Sequence, residues 1–357
     1  MNPVGGVLLA NRPPTRQFEP ILVGGTMTRF KARIWMIGGL AALAAGGAQA
    51  GSYGFQIVDD PADPTFNQLL GINNAGTAVG YYGNGTVNPN RGYTVAAPYT
   101  GGGAFTNENF PGSFQTQVTG INNAGVTVGF WVDGSGANYG FVEQGGTFTT
   151  VANPAVQQFN QLLAINDSEI AAGFYTDVAG NSHGYTYNVG AGTFTSVTVA
   201  GFASVQATAI NNAGTVAGTA GNGASTQGFI DAGGIVTLLN GPAGSVSTAV
   251  FGLNNLGYAD GFYTDAAGVD HGFLYDVATQ SYTTIDAPNA SKVAGGGTVL
   301  NGLNDVGQLT GYYMDNGGFT DGLLVTTQAG TIPEPGSVAL VGLGLAAAAI
   351  GRRRRHG

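Results

Sequence analysis

The chain has 357 residues, 63 of them glycine, and only 9% are charged. It contains no cysteine, which excludes disulfides, thiolate metal sites and a cysteine nucleophile. Charge is segregated: residues 51–331 hold two basic residues, Arg91 and Lys292, against 18 acidic ones, a formal −16 that argues against nucleic acid and anionic lipid as partners.

Residues 1–26 contain Pro13-Pro14 and little periodicity, and read as an unstructured extension or a start placed too early. From Met27 the pattern changes. Arg29, Lys31 and Arg33 form a basic segment, residues 34–47 are apolar or small, and Ala48-Gln49-Ala50 fits small-x-small cleavage. Residues 27–50 are therefore expected to be a secretory signal peptide cut after Ala50, the alternative being a short membrane anchor.

Residues 51–327 are a repeat array. Ile72-Asn73-Asn74-Ala75-Gly76 returns at Ile121 and Ile210, with looser copies from Ile165, Leu253 and Leu303. One unit is legible from the fifth copy: strands at Val250–Leu253, Tyr258–Tyr263, His271–Asp276 and Ser281–Asp286. Asn254–Gly257 and Asp265–Gly268 supply turns, with Gly at the positions that need positive φ. Pro288 ends the unit, since proline cannot continue a central ladder. Four strands in roughly 45 residues is the length of one propeller blade. The sixth copy lacks a fourth strand, and Phe55–Asp60, reading like Tyr282–Ala287, is placed to supply it. The expected fold is all-β: a six-bladed β-propeller of four-stranded repeats, closed by an N-terminal strand that removes exposed edges. An open β-solenoid is the second choice.

Residues 328–357 differ in character. Pro333-Glu334-Pro335 precedes an apolar run from Gly336 to Gly351, expected as a single transmembrane helix, and Arg352, Arg353, Arg354 and Arg355 follow as a cytoplasmic stop. This block resembles the PEP-CTERM sorting signal of Gram-negative bacteria. The resemblance implies an exosortase-type processing enzyme as partner, transient residence in the inner membrane, and release to the cell surface or extracellular matrix. The repeats resemble the HAF-type extracellular family at His183-Gly184-Tyr185 and His271-Gly272-Phe273, departing to Arg91, Tyr139, Gln227 and Asp321 at the first position. That resemblance brings no established chemistry.

No catalytic residue stands out. The turn acids Asp133, Asp177 and Asp265 have the oxygens a Ca²⁺ ion would need, but an Asp that opens a turn closing on Gly also caps its own backbone. Tyr81, Tyr82, Trp131, Tyr175, Tyr263 and Tyr313 follow the glycine of each second strand, and of these Tyr82, Trp131, Tyr175, Tyr263 and Tyr313 are candidates for stacking on sugars or for packing between units. Asp260 breaks the pattern of its repeat position, where others have Val, Ala or Thr. The turn at Asn166-Asp167-Ser168-Glu169 has no Gly and is expected to differ locally. The function these readings favour is an exported, non-catalytic surface or matrix protein that binds exopolysaccharide or other envelope components. The alternatives are a propeller-type glycan hydrolase or lyase, which needs two carboxylates at one rim, and a purely structural matrix protein.

Overall fold

The computed structural model describes residues 53–327, apart from 156–158 and 224–225. The expected extension, signal peptide with Ala48 and Ala50, transmembrane helix, Pro333-Glu334-Pro335 motif and arginine cluster lie outside the described residues. No helix among the described residues is long and apolar enough to cross a membrane.

The described residues fold largely as short antiparallel strands. β1 (Tyr53–Ile57) comes first. The first unit is β2 (Asn67–Ile72), β3 (Ala78–Tyr82), β4 (Arg91–Val95) and β5 (Phe105–Asn107). The second is β6 (Gln115–Ile121), β7 (Thr127–Val132), β8 (Asn138–Gln144) and β9 (Thr147–Val151). The third is β10 (Asn160–Ile165), β11 (Ile170–Thr176), β12 (Ser182–Asn188) and β13 (Thr193–Val197). The fourth is β14 (Ser204–Ile210), β15 (Val216–Gly221), β16 (Thr226–Ala232) and β17 (Ile235–Leu239). The fifth is β18 (Ser247–Leu253), β19 (Tyr258–Thr264), β20 (Asp270–Asp276) and β21 (Ser281–Thr284), and the chain continues through β22 (Gly297–Leu303), β23 (Gln308–Met314) and β24 (Thr320–Thr327).

The first four units are separate four-stranded sheets, each a meander in sequence order. The remaining strands form one eight-stranded sheet, so the expected six separate blades are four. The join is a single parallel pair, Asp270 with Gly297, between β20 and β22. Similar parallel bridges, Asn138 with Phe159 and Phe66 with Thr320, cross other boundaries but fall outside named strands and fuse nothing. Within the eight-stranded sheet β1 lies antiparallel on β24, pairing Tyr53 with Thr327 and Ile57 with Leu323. The strand ahead of the first repeat thus completes the last one, and the result is a propeller-like ring.

The core lies between the units. Each apolar cluster combines residues of two successive repeats, as in Val79 with Val118 and Phe141, or Leu239 with Val250 and Phe273. The same holds where the ring meets itself: Val58 and Leu324 pack with Leu69, Ile72 and Tyr93. A β-sheet buries its faces only against another layer, and here that layer is the neighbouring sheet. One glycine position is fixed by close approach. A Cβ on Gly80, Gly129, Gly173, Gly218, Gly261 or Gly311 would stand 1.9–2.1 Å from a carbonyl oxygen of the preceding strand. Each of these glycines sits beside a bulge in the first hairpin, which presses the two strands together there.

Candidate functional site

The Asn-Asn turns converge on a mouth lined by the six copies of the motif. The first asparagine of each turn does two things. Asn73 Oδ1 accepts the Ala75 and Thr77 amides of its own turn. Its Nδ2 donates to the Asn122 carbonyl of the next unit at 3.2 Å. Asn122 reaches Asn166, Asn166 reaches Asn211, Asn211 reaches Asn254, Asn254 reaches Asn304, and Asn304 returns to Asn73. The circle is closed.

The second residue of each turn makes an outer circle. The amide of Asn74 donates to Asn123 Oδ1, and the pattern runs through Asp167, Asn212, Asn255 and Asp305 back to Asn74, at 2.8–2.9 Å throughout. Asp167 and Asp305 take the place of asparagine in two copies. Asp167 Oδ2 accepts the side-chain amides of Asn123 and Asn212, and Asp305 Oδ2 those of Asn74 and Asn255. Burial works to raise both carboxyls, but these hydrogen bonds outweigh it and hold each below the usual range. The mouth encloses about 80 Å³. That is room for a few waters, well under the ~300–1,000 Å³ of ordinary ligand pockets.

Two carboxylates therefore do break the repeat pattern at one rim, as a hydrolase would need. Both are hydrogen-bonded into the circle, and neither carries the raised pKa of a general acid. Asp260 is elsewhere. It is fully buried beside Gly252 and Gly302, neither of its carboxylate oxygens has a hydrogen-bond partner among the described residues, and burial pushes it well above the carboxylate range. Sequence reasoning missed its counterpart, Glu108, which stands where the other repeats have Val58, Val151, Val197, Leu239 and Ile285, all buried. Glu108 accepts the Thr127 hydroxyl of the next unit, and burial raises it to about 7 despite that bond. Aligning the fourth strands would have exposed it as an acid in an apolar column. Asp260 and Glu108 occupy different seams of the ring and form no dyad.

The other end of each central hairpin carries the remaining candidates. Asp133, Asp177 and Asp265 cap their turns, each Oδ1 accepting the amides two and four residues on. Among the described residues no group of three or more His, Asp or Glu is placed to hold a metal ion. Next to these turns, cross-strand pairing sets Trp131 against Tyr139, Tyr175 against His183, and Tyr263 against His271. The two imidazoles stack on their tyrosines, with centroids 5.0 Å apart. His183 Nε2 lies 2.9 Å from Asp177, and His271 lies 2.8 Å from Asp286 and 3.4 Å from Asp265. Tyr82 pairs with Arg91 and Tyr313 with Asp321. The variable position before the Gly-aromatic pair is thus the cross-strand partner of the aromatic. Tyr313 is buried at 3% exposure, so the expectation that it stacks on a sugar does not hold; Tyr81 is buried too, bonded to Gln68. Trp131 stacks on Phe110 and lies against Tyr139. Tyr82, Tyr175 and Tyr263 are half-buried at the surface.

A propeller-like ring with a C-terminal sorting tail defines the class. Residues 331–355 match the PEP-CTERM protein-sorting motif, which implies export through an exosortase system and a cell-envelope or surface location. That match is confined to the tail, and the HAF-type resemblance of the repeats gains no support. No curated protein matches the chain. Solved structures similar to it include TolB from Acinetobacter baumannii, 11% identical over 79% of this chain with a TM-score of 0.42; the chain spans 65% of that protein. They also include a gluconolactonase from Xanthomonas campestris, 9% identical over 80% of this chain and 93% of its own, TM-score 0.49. A lectin from Aleuria aurantia in complex with Fucalpha1-6GlcNAc is 12% identical over 74% of this chain and 98% of its own, TM-score 0.38.

Proposed function

We propose that this is an exported, non-catalytic surface or matrix protein whose ring binds polysaccharide or another envelope component at the Asp-turn end. Secretion would begin with the signal peptide at residues 27–50 and end with exosortase processing near Pro333-Glu334-Pro335. The observation that carries the binding site is the pair of half-exposed tyrosine–imidazole stacks at Tyr175–His183 and Tyr263–His271, each beside a carboxylate. Apolar ring edges next to hydrogen-bonding groups match the alternating C–H and hydroxyl surface of a sugar. The saturated, narrow axial mouth supports a binding role over hydrolysis. Ca²⁺ at Asp133, Asp177 or Asp265 stays a subsidiary proposal, since the second carboxylate oxygen of Asp177 is held by Asn181 and His183 and that of Asp265 by His271.

A glycan array probed with the full chain tests the reading. Binding is expected, and it should fall at least tenfold in Tyr175→Ala/Tyr263→Ala. A blank array would overturn it in favour of a purely structural role. Release of fragments from a bound glycan would make the protein an enzyme.

A further inference from the structure

The outer strand of the fourth unit departs from its sisters in one respect. β17 is the terminal strand of its sheet, so among the described residues one side of its backbone has no strand partner. At its first position β9, β13 and β21 have Thr147, Thr193 and Ser281; β17 has Ile235, 75% exposed. At the fourth position they have Thr150, Ser196 and Thr284; β17 has Leu238, 42% exposed. At the second position the sisters carry a ring that folds onto their own sheet, Phe148 on Phe141 and Phe194 on Tyr185, where β17 has the exposed Val236. The strand has thus exchanged solvent-facing hydroxyls for apolar side chains without gaining anything of its own to cover them.

The charge distribution says what covers it. Between residues 178 and 259 the only Asp, Glu, Lys or Arg is Asp231, in a body that carries 18 acidic residues. Two copies of a strongly acidic molecule repel one another along most of their surface. This sector, whose one acid, Asp231, pairs with Val236 from the inner side of β17, is where they approach with the least penalty, and its rim is this open apolar strand. Native edges are ordinarily blunted by charge, and here the blunting is absent.

We infer that β17 is the contact through which two copies of this chain associate. The strands pair antiparallel about a two-fold axis near Thr237, joining two four-stranded sheets into one of eight. Pairing a strand with itself is isologous and closes at two copies. Five residues a side make a small contact, so the dimer is reversible and forms at the high local concentration of a cell surface or matrix.

Sedimentation velocity of the full chain from about 1 µM to about 1 mM should show a monomer–dimer equilibrium. The double substitution Ile235→Thr/Leu238→Thr takes its residues from the sister strands and should leave the melting curve intact while lowering the association constant at least tenfold. Because the chain has no cysteine, Thr237→Cys offers an independent reading. Facing Cα atoms across an antiparallel pair, ~4.5–5.5 Å apart, lie within disulfide reach. Under an added oxidant this variant should cross-link into a dimer, whereas Thr195→Cys on β13 should stay monomeric. A monomer at every concentration, association that survives the double substitution (as tail-driven contact would), or equal cross-linking by both cysteines would overturn the inference.

Discussion

The two ends of the repeat use nearly the same turn, and one atom separates their roles. At the axial end Asn73 and its counterparts cap the turn through Oδ1, accepting amides two and four residues on. At the outer end Asp133, Asp177 and Asp265 cap in the same way. Asparagine also has an Nδ2 donor, which reaches the next unit's carbonyl; aspartate has none. The asparagine side chains therefore link their turns into a circle, whereas the second oxygens of Asp177 and Asp265 are taken by His183 and His271 of their own units. A local rule of turn chemistry, read six times, becomes a rule of assembly only where the side chain has a hydrogen to spare.

The sharpest way to break that comparison is to exchange the atom. Asn122→Asp keeps the cap but sets a carboxylate oxygen against the Asn166 carbonyl in a buried site. It should cost about 3 kcal/mol in urea unfolding, for a lost hydrogen bond and a buried unpaired acceptor. The reverse exchange at the outer end, Asp133→Asn, should leave the unfolding midpoint where it is. Equal losses at both ends would refute the difference.

Next in size is a seam between the two ends. Glu108 is raised from 4.5 to about 7 by burial. The unfolded chain therefore releases this proton at lower pH than the folded one. The stability it contributes is complete below pH 4.5 and declines as pH rises through about 7. Glu108→Val, the residue of three sister repeats, should abolish that decline and raise stability at pH 8 by roughly 2–3 kcal/mol relative to pH 4. Asp260, raised by its own burial, acts in the same sense, and Asp260→Asn should stabilise the protein at pH 8 but not at pH 4. Thermal unfolding across that range reads both.

A smaller effect belongs to the axial turn without glycine. Glu169 adopts φ 54, where its counterparts Gly76, Gly125, Gly214, Gly257 and Gly307 have φ of 78–84. Glu169→Gly should raise stability by ~1 kcal/mol, by relieving the left-handed strain of a side-chain-bearing residue. The smallest is at the outer end. His271 loses some charge preference to burial but gains more from Asp286 and Asp265, so its pKa is raised. Its contribution is present below about pH 6.5 and lost as pH rises through the raised value. At a largely solvated site that is well under ~1 kcal/mol, and His271→Gln should remove the small fall in melting temperature between pH 5 and 8.

Much of the fold was legible because β-strand patterning and turn chemistry are local. The strands expected at Tyr258–Tyr263 and His271–Asp276 are Tyr258–Thr264 and Asp270–Asp276 in the structure, each within one residue of its expected bounds. The strand split between the chain's beginning and its last repeat also pairs as expected, since its sequence matched a sister strand. What failed did so for non-local reasons. The sheet count differs because one pair, Asp270–Gly297, joins strands 27 residues apart. The glycine-free turn keeps the geometry of the others, because the Asn166 cap and the flanking circle hold Glu169 in a conformation its own propensity disfavours. Tyr313 is buried although its repeat position is shared with half-buried rings, and burial depends on which neighbour covers it.

The sequence by itself determined the repeat, its strands and turns, the acidic body and the sorting tail, since each depends on residues close together in the chain. Only the tertiary structure decided what the Asn-Asn pair is for. Capping a turn needs one asparagine and its own backbone. Closing a ring needs the carbonyl of a residue some 45 positions away, and nothing in a single copy of the motif says that it will be there.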